Sequence, residues 1–192
     1  MTRLVDDLLD VARLTQDKLV VERERLDLRS TARGVLDDVA SIFRDRNVTL
    51  TTDIDNLELP VLGDRTRLHQ LQANLLTNAA RYTPPGGQAT FSMRRIDGVA
   101  EIRVSDSGEG IAPDMLGRVF DLFVQAGPPG ARGRDGGLGV GLALVRRIAG
   151  LHGGEVSVSS AGLGRGTEFR VRLPLAAAQI RVANNNPDVF DM

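Results

Sequence analysis

Residues 3–16, RLVDDLLDVARLTQ, set Leu4, Leu8 and Val11 four and three residues apart, with Val5, Leu9 and Ala12 beside them. That spacing predicts an amphipathic helix with a broad apolar face. The face either packs on the main domain or belongs to one arm of a bundle whose other arm is missing. Leu19 to Leu28 reads as extended. Asp27 then caps a helix through LRSTARGVLDDVASIFRDRN, with Val35, Val39, Ile42 and Phe43 inward. VTLTTDI alternates like a strand. Asp64 caps RTRLHQLQANLLTNAARY, the clearest helix of the chain, and PPGG ends it.

The second half is richer in strands. ATFSMRRI and AEIRVSD flank Asp97-Gly98, a hairpin dipeptide. From Pro113 a short helix is expected, followed by the irregular loop AGPPGARGRDGG. GGLGVGLALVRR leads into a helix through about Leu151, and GGEVSVSS with TEFRVRLPL forms a second strand pair. The tail AAAQIRVANNNPDVFDM has no consistent period and reads as a linker. Helices with strands in adjacent antiparallel pairs predict an α+β two-layer sandwich, not a doubly wound fold.

Composition then removes possibilities. A chain of 192 residues, 42% hydrophobic and 26% charged, suits one soluble domain with a small appendage. A net charge of -1 gives no bulk reason to expect nucleic acid or an anionic membrane surface as partner. Without cysteine there is no disulfide, thiol nucleophile or cysteine-bound zinc. No apolar run approaches the roughly twenty residues that span a bilayer, and MTRLVDDLLD is too acidic for a signal peptide. Lys18 is the only lysine, so no glycine-rich stretch has a phosphate-binding lysine.

Four stretches carry candidate chemistry. On the helix that follows Asp64, Leu68, Leu71, Leu75 and Ala79 form a core stripe, while Gln70, Asn74, Asn78 and Arg81 align on another face. Asparagine is a mediocre helix former, and neutral carbonyl oxygens suit a hydrated Mg²⁺; a solvated helix face is the plainer alternative for the pair taken alone. In VSDSGEGIAP a strand ends at Asp106, and Gly108 and Gly110 turn the backbone away beneath its carboxylate. At the bottom of a pocket that carboxylate would accept a hydrogen bond from an exocyclic amino group such as N6 of adenine. In GGLGVGLALVRR, glycines before a helix leave N–H groups free for an anion at its positive end. The fourth stretch, SSAGLGRGTEF, makes a tight turn before Thr167. The spacing matches neither GxxxxGK[ST] nor a GxGxxG between strand and helix. Triphosphate charge would therefore fall to backbone amides, Mg²⁺ and arginines, with Arg81, Arg132 and Arg134 as candidates.

Taken in order, NLLTNAARYTPPGG, DSGEGI, VFDLF, GGLGVGLAL and GLGRGT closely resemble the N, G1, F, G2 and G3 boxes of the ATP-binding catalytic domain of sensor histidine kinases. RLVDDLLDVARL is similar to the end of the second helix of that family's dimerisation and phosphoacceptor domain. The resemblance implies the Bergerat fold, a mixed sheet backed by helices that is shared with gyrase and MutL ATPases. It divides the chain into a helix remnant at 1–18, an ATP-binding domain at 19–175 and a linker at 176–192. It implies Mg²⁺ on Asn78 and Asn74, and phosphate, ribose or adenine contacts from Arg81 and Tyr82. Asp106 would read the adenine amino group, with Gly108, Gly110 and Ile111 shaping the pocket and Thr167 beside the base. Phe120 and Phe123 would begin a lid, although buried core suits them equally. Gly137, Gly139 and Gly141 would wrap the phosphates, Leu142 would pack near the nucleotide, and Leu138 and Val140 between them would also contact ATP.

The resemblance further implies a cytoplasmic domain of a homodimeric parent kinase in a two-component phosphorelay, with a response regulator receiver domain as partner. The family's acceptor histidine lies on a helix this chain lacks. The two histidines here, His69 and His152, sit beside apolar helix positions and read as structural. The expected activity is transfer of the γ-phosphoryl of ATP to a histidine of a separate helical domain, not self-phosphorylation. Two rivals stand beside it: a non-catalytic nucleotide-binding or dimerisation module, and a gyrase- or MutL-like ATPase.

Overall fold

A computed structural model describes residues 20–124 and 138–176. The N-terminal helix expected around Leu4, Leu8 and Val11, the cationic loop with Arg132, Arg134 and Gly137, and the tail beyond 176 lie outside the described residues.

The elements run β1 (Glu24–Asp27), α1 (Arg29–Asp45), β2 (Thr49–Ile54), β3 (Pro60–Gly63), α2 (Arg65–Tyr82), β4 (Gln88–Ile96), β5 (Val99–Asp106), α3 (Gly141–Leu151), β6 (Glu155–Ser159) and β7 (Thr167–Pro174). Five strands form one sheet in the order β2-β4-β5-β7-β6, with β2 parallel to β4 and the other pairings antiparallel. β1 and β3 form a separate antiparallel pair. The expected α+β sandwich is therefore present, with a mixed sheet.

Alternation decides which face of the sheet takes the helices. Ala89, Phe91 and Met93 of β4, Ala100, Ile102 and Val104 of β5, and Phe169, Val171 and Leu173 of β7 are all buried. They meet Leu68, Leu71, Leu75 and Ala79 in one core, so the predicted stripe of α2 does face inward. α2 lies between α1 and α3. The opposite sheet face is polar, and on it Glu101 is only 3% exposed. Arg103 Nη2 and Arg172 Nε donate to its carboxylate at 2.9 and 3.0 Å, and Arg170 lies 3.7 Å away. Burial pushes this carboxyl up, but the bonds from Arg172 and Arg103 and the positive charges of Arg103 and Arg170 outweigh it and hold it below its ordinary value.

Local chemistry sets the ends of the elements. Asp64 caps α2 by accepting the Arg67 N–H at 3.1 Å. Asp97 and Gly98 both have positive φ, 48° and 81°, as the tight hairpin between β4 and β5 requires. Asp27, in contrast, does not cap α1. Leu28 holds the cap position without a side-chain bond, and Asp27 instead takes the Arg29 guanidinium, the Arg29 N–H and the Leu59 N–H. It ties the start of α1 to the approach to β3. The helix expected after Pro113 is absent. Met115, Arg118 and Asp121 each bond three residues back, a series of turns that runs through Gly117.

Candidate functional site

A cavity of about 300 Å³ opens between α2, the end of β5, the start of β7 and the start of α3. From α2 it takes Asn74, Thr77, Asn78 and Arg81, spaced as one helix stripe, with Ala73 and Tyr82 beside them. The core stripe of the same helix pins the orientation of this polar row. Asn74 Nδ2 makes a long contact, 3.5 Å, to the Gly141 carbonyl across the cavity. Gln70, predicted on the same face, does not reach the cavity; Arg67 donates to it at 2.9 Å. Among the described residues the side chains of Asn78 and Arg81 make no hydrogen bond or ion pair with the protein. Both remain available to a ligand.

The opposite wall is built from backbone. β5 delivers Asp106 to the cavity, where its carboxylate accepts the Gly108 N–H at 2.9 Å and the Thr167 N–H. Burial pushes this carboxyl above its ordinary value, and the two N–H donors pull it back only in part. An external donor would therefore meet an underpaired, desolvated acceptor. Close backbone packing makes glycine obligatory at Gly108, Gly110 and Gly166. A Cβ at Gly108 would lie 2.3 Å from the Tyr82 carbonyl oxygen, and one at Gly166, with φ +70°, only 2.0 Å from that of Asp106. Backbone bonds zip these segments together: Glu109 N–H to Tyr82, Gly166 N–H to Gly108 and Gly164 N–H to Glu109.

The third wall is the start of α3. Leu138, Gly139, Val140, Gly141 and Leu142 all line the cavity, together with Val119 and Val124. Val140 holds the cap position and no side chain caps the helix, so its first N–H groups keep no side-chain partner. An uncapped helix start with an arginine across the cavity suits an anion.

The predicted site residues divide as follows. Asn74, Asn78, Arg81, Tyr82, Asp106, Gly110, Ile111, Leu138, Gly139, Val140, Gly141, Leu142 and Thr167 line the cavity together. Gly108 supports Asp106 from outside the lining. Phe120 and Phe123 do not line it either. Phe120 packs edge-on against Phe169, with ring centroids 6.2 Å apart, and it is Phe169 that reaches the cavity. Phe123 is 61% exposed at φ +65°, its N–H donating to the Gly139 carbonyl. Sequence reasoning missed Thr77, although the spacing from Asn74 and Arg81 placed it on the same stripe. Val119, Val124 and Phe169 carried no signal apart from general apolarity.

No group of three or more His, Cys, Asp or Glu side chains that could hold a metal occurs among the described residues. The donors that fit a hard cation in this cavity are the neutral side-chain oxygens of Asn74 and Asn78, which leave room for phosphate and water oxygens.

Over residues 63–177 the chain matches the family described as histidine kinase-, DNA gyrase B-, and HSP90-like ATPase. It is 38% identical over 184 residues to the histidine protein kinase DivJ of Caulobacter vibrioides, covering 96% of this chain and 30% of DivJ. Full-length ShkA, solved in complex with AMPPNP, aligns with a TM-score of 0.76 at 30% identity, over 94% of this chain and 37% of ShkA. A solved chain of the mycobacterial sensor histidine kinase MprB aligns with a TM-score of 0.68 at 29% identity, over 79% of this chain and 97% of that solved chain. The chain spans about a third of the length of the curated relatives it matches. It belongs to the family of histidine kinase-, DNA gyrase B- and HSP90-like ATPases, and its relatives group it with the catalytic domains of sensor histidine kinases.

Proposed function

We propose that the cavity binds Mg·ATP and that the chain passes the γ-phosphoryl to a histidine of a separate helical domain. The observation that carries this reading is the convergence of three unlike walls: a desolvated carboxylate, a row of amides with an arginine, and an uncapped helix start. Asp106 accepts the adenine amino group, with Thr167 beside it. The N–H groups at Gly141 and Leu142 and the Arg81 guanidinium hold phosphate oxygens. Asn74 and Asn78 would hold Mg²⁺, which supplies charge neutralisation and orientation of the phosphates. Apolar side chains of Val119, Val140 and Leu142 exclude water around the base and sugar. Arg132, Arg134 and Gly137 are proposed as further phosphate contacts.

In the transfer the bond from the γ-phosphorus to the bridging oxygen breaks, a bond to an imidazole nitrogen forms, and ADP leaves. The acceptor is not in this chain. His69 Nε2 lies 3.2 Å from an Asp38 carboxylate oxygen, and His152 is buried with both ring nitrogens engaged. We accordingly read 1–18 as the end of a dimerisation helix, 19–175 as the catalytic domain and 176–192 as a linker. The complete protein would be a homodimer whose phosphohistidine serves a receiver domain, with this domain in the cytoplasm. Incubation with γ-labelled ATP tests the scheme: label is expected on an added acceptor hairpin that carries the histidine. Label on this chain incubated alone contradicts it.

A further inference from the structure

Two helices hold the proposed nucleotide, and one side chain joins their far ends. His152 follows α3 and is 5% exposed. Its Nε2 lies 2.9 Å from the backbone N of Asp64, the cap of α2, and its Nδ1 lies 2.7 Å from the Ile148 carbonyl oxygen in the last turns of α3. The Asp64 N–H can only donate and the Ile148 carbonyl can only accept, so the ring is neutral with its proton on Nδ1. Gly63 leaves room for it: a Cβ there would lie 2.8 Å from the ring's Cδ2. The segment before β1 ends at the same joint. The Glu22 N–H donates to an Asp64 carboxylate oxygen at 3.1 Å, and the Arg23 guanidinium donates to the Leu151 carbonyl.

The joint is a long lever for the cavity. Asn74 lies ten residues beyond Asp64 and Gly141 eleven before His152. At about 1.5 Å per residue, each cavity end is roughly 15 Å from the joint. A change of about 5° in the crossing of the helices would therefore move Asn74 relative to Gly141 by more than ~1 Å, enough to cost on the order of 10²-fold in a positioned reaction. Among the described residues, the 3.5 Å contact from Asn74 to Gly141 is the hydrogen bond that ties the helices at the cavity.

We infer that His152 is a positioning residue for nucleotide binding: its neutral ring sets the crossing of α2 on α3, and so the gap between the Asn74 and Asn78 amides and the start of α3. The inference rests on the Mg·ATP reading of the cavity. Protonation would turn Nε2 into a donor facing the Asp64 N–H donor, so the bridge fails in acid. Burial opposes that protonation most, and the bond to Ile148 favours it. Of the charged groups facing the ring, Arg23 opposes it and Asp64 favours it, and together these effects leave the ring less basic than an ordinary histidine.

Calorimetric titration of the full chain with Mg·ATP at pH 7.5 and 5.5 tests this, using wild type, His152→Gln and His152→Met. Gln keeps an acceptor for the Asp64 N–H and does not titrate; Met keeps bulk and removes the acceptor. At pH 7.5 H152M is expected to bind about tenfold more weakly while still melting cooperatively, and H152Q to stay within about threefold of wild type. Between the two pH values wild type should lose more affinity than H152Q, a comparison that cancels the nucleotide's own titration. Wild-type affinity in H152M, or a wild-type acid loss in H152Q, overturns the role of His152. If H152M does not fold, the acid comparison with H152Q decides alone. A wild type that binds no Mg·ATP overturns the nucleotide reading itself, a result distinct from unmoved variants of a binding wild type.

Discussion

Gly166, behind the Asp106 wall of the cavity, and Gly141, on its α3 wall, are glycines for different reasons. On the Asp106 side, Gly166 sits at φ +70° with no room for a Cβ. On the α3 side, a Cβ at Gly141 would meet Asn74 at 3.7 Å, ordinary van der Waals contact, in a helical conformation that any residue adopts. The protein needs the first glycine to fold. It does not need the second, which keeps the α3 wall of the cavity free of a side chain. A glycine-rich stretch is thus not one signal but two, separable by asking what the missing side chain would touch.

Substitutions at these two glycines should have opposite effects on stability. Gly166→Ala carries the largest expected effect, a loss of about 3 kcal/mol or more from the positive φ and the clash with Asp106, read as a fall in thermal midpoint. Gly166→Ala with an unchanged midpoint would remove the contrast. Asn78→Ala comes next. It leaves the fold intact and reduces Mg·ATP affinity about tenfold, roughly 1.4 kcal/mol, with no change for nucleotide measured in chelator. Equal losses with and without Mg²⁺ would move the metal elsewhere. Gly141→Ala should gain about 0.5 kcal/mol of stability from helix propensity while weakening Mg·ATP, a pairing that marks a ligand-directed glycine. Loss of stability there would make Gly141 structural too.

The smallest effect is the acid dependence of folding. Burial lowers the His152 pKa in the folded protein, so below the unfolded value of about 6.5 the unfolded state binds the extra proton. Stability is then fully present above that value and falls as pH drops through the folded one. Melting between pH 7 and 5.5 should show a decline in wild type that His152→Gln reduces.

Legibility followed the physics of each region. The two stripes of α2 could be read from spacing alone, because a helix sorts Leu68, Leu71 and Leu75 from Asn74, Asn78 and Arg81 by angle. Thr77 was on the polar stripe and passed unnoticed because threonine is unremarkable on a helix surface. The pairing of β1 with β3 was not legible: four-residue strands show too little alternation, and Pro60 argues against a strand. The turns after Pro113 look helical in sequence because their apolar residues recur at similar spacing, and the bonding three residues back distinguishes them. Phe120 and Phe123 illustrate a limit of motif reading. Phe120 packs on Phe169, which lines the cavity, whereas Phe123 is exposed with its N–H bonded to Gly139.

The central claim is that Asp106 makes this cavity an adenine site, and titration of wild type and Asp106→Asn with Mg·ATP tests it most directly. Loss of one charge-assisted hydrogen bond of about 1.5–3 kcal/mol predicts affinity ten- to a hundredfold lower in a variant that still folds. Equal affinity in the two proteins would contradict the account.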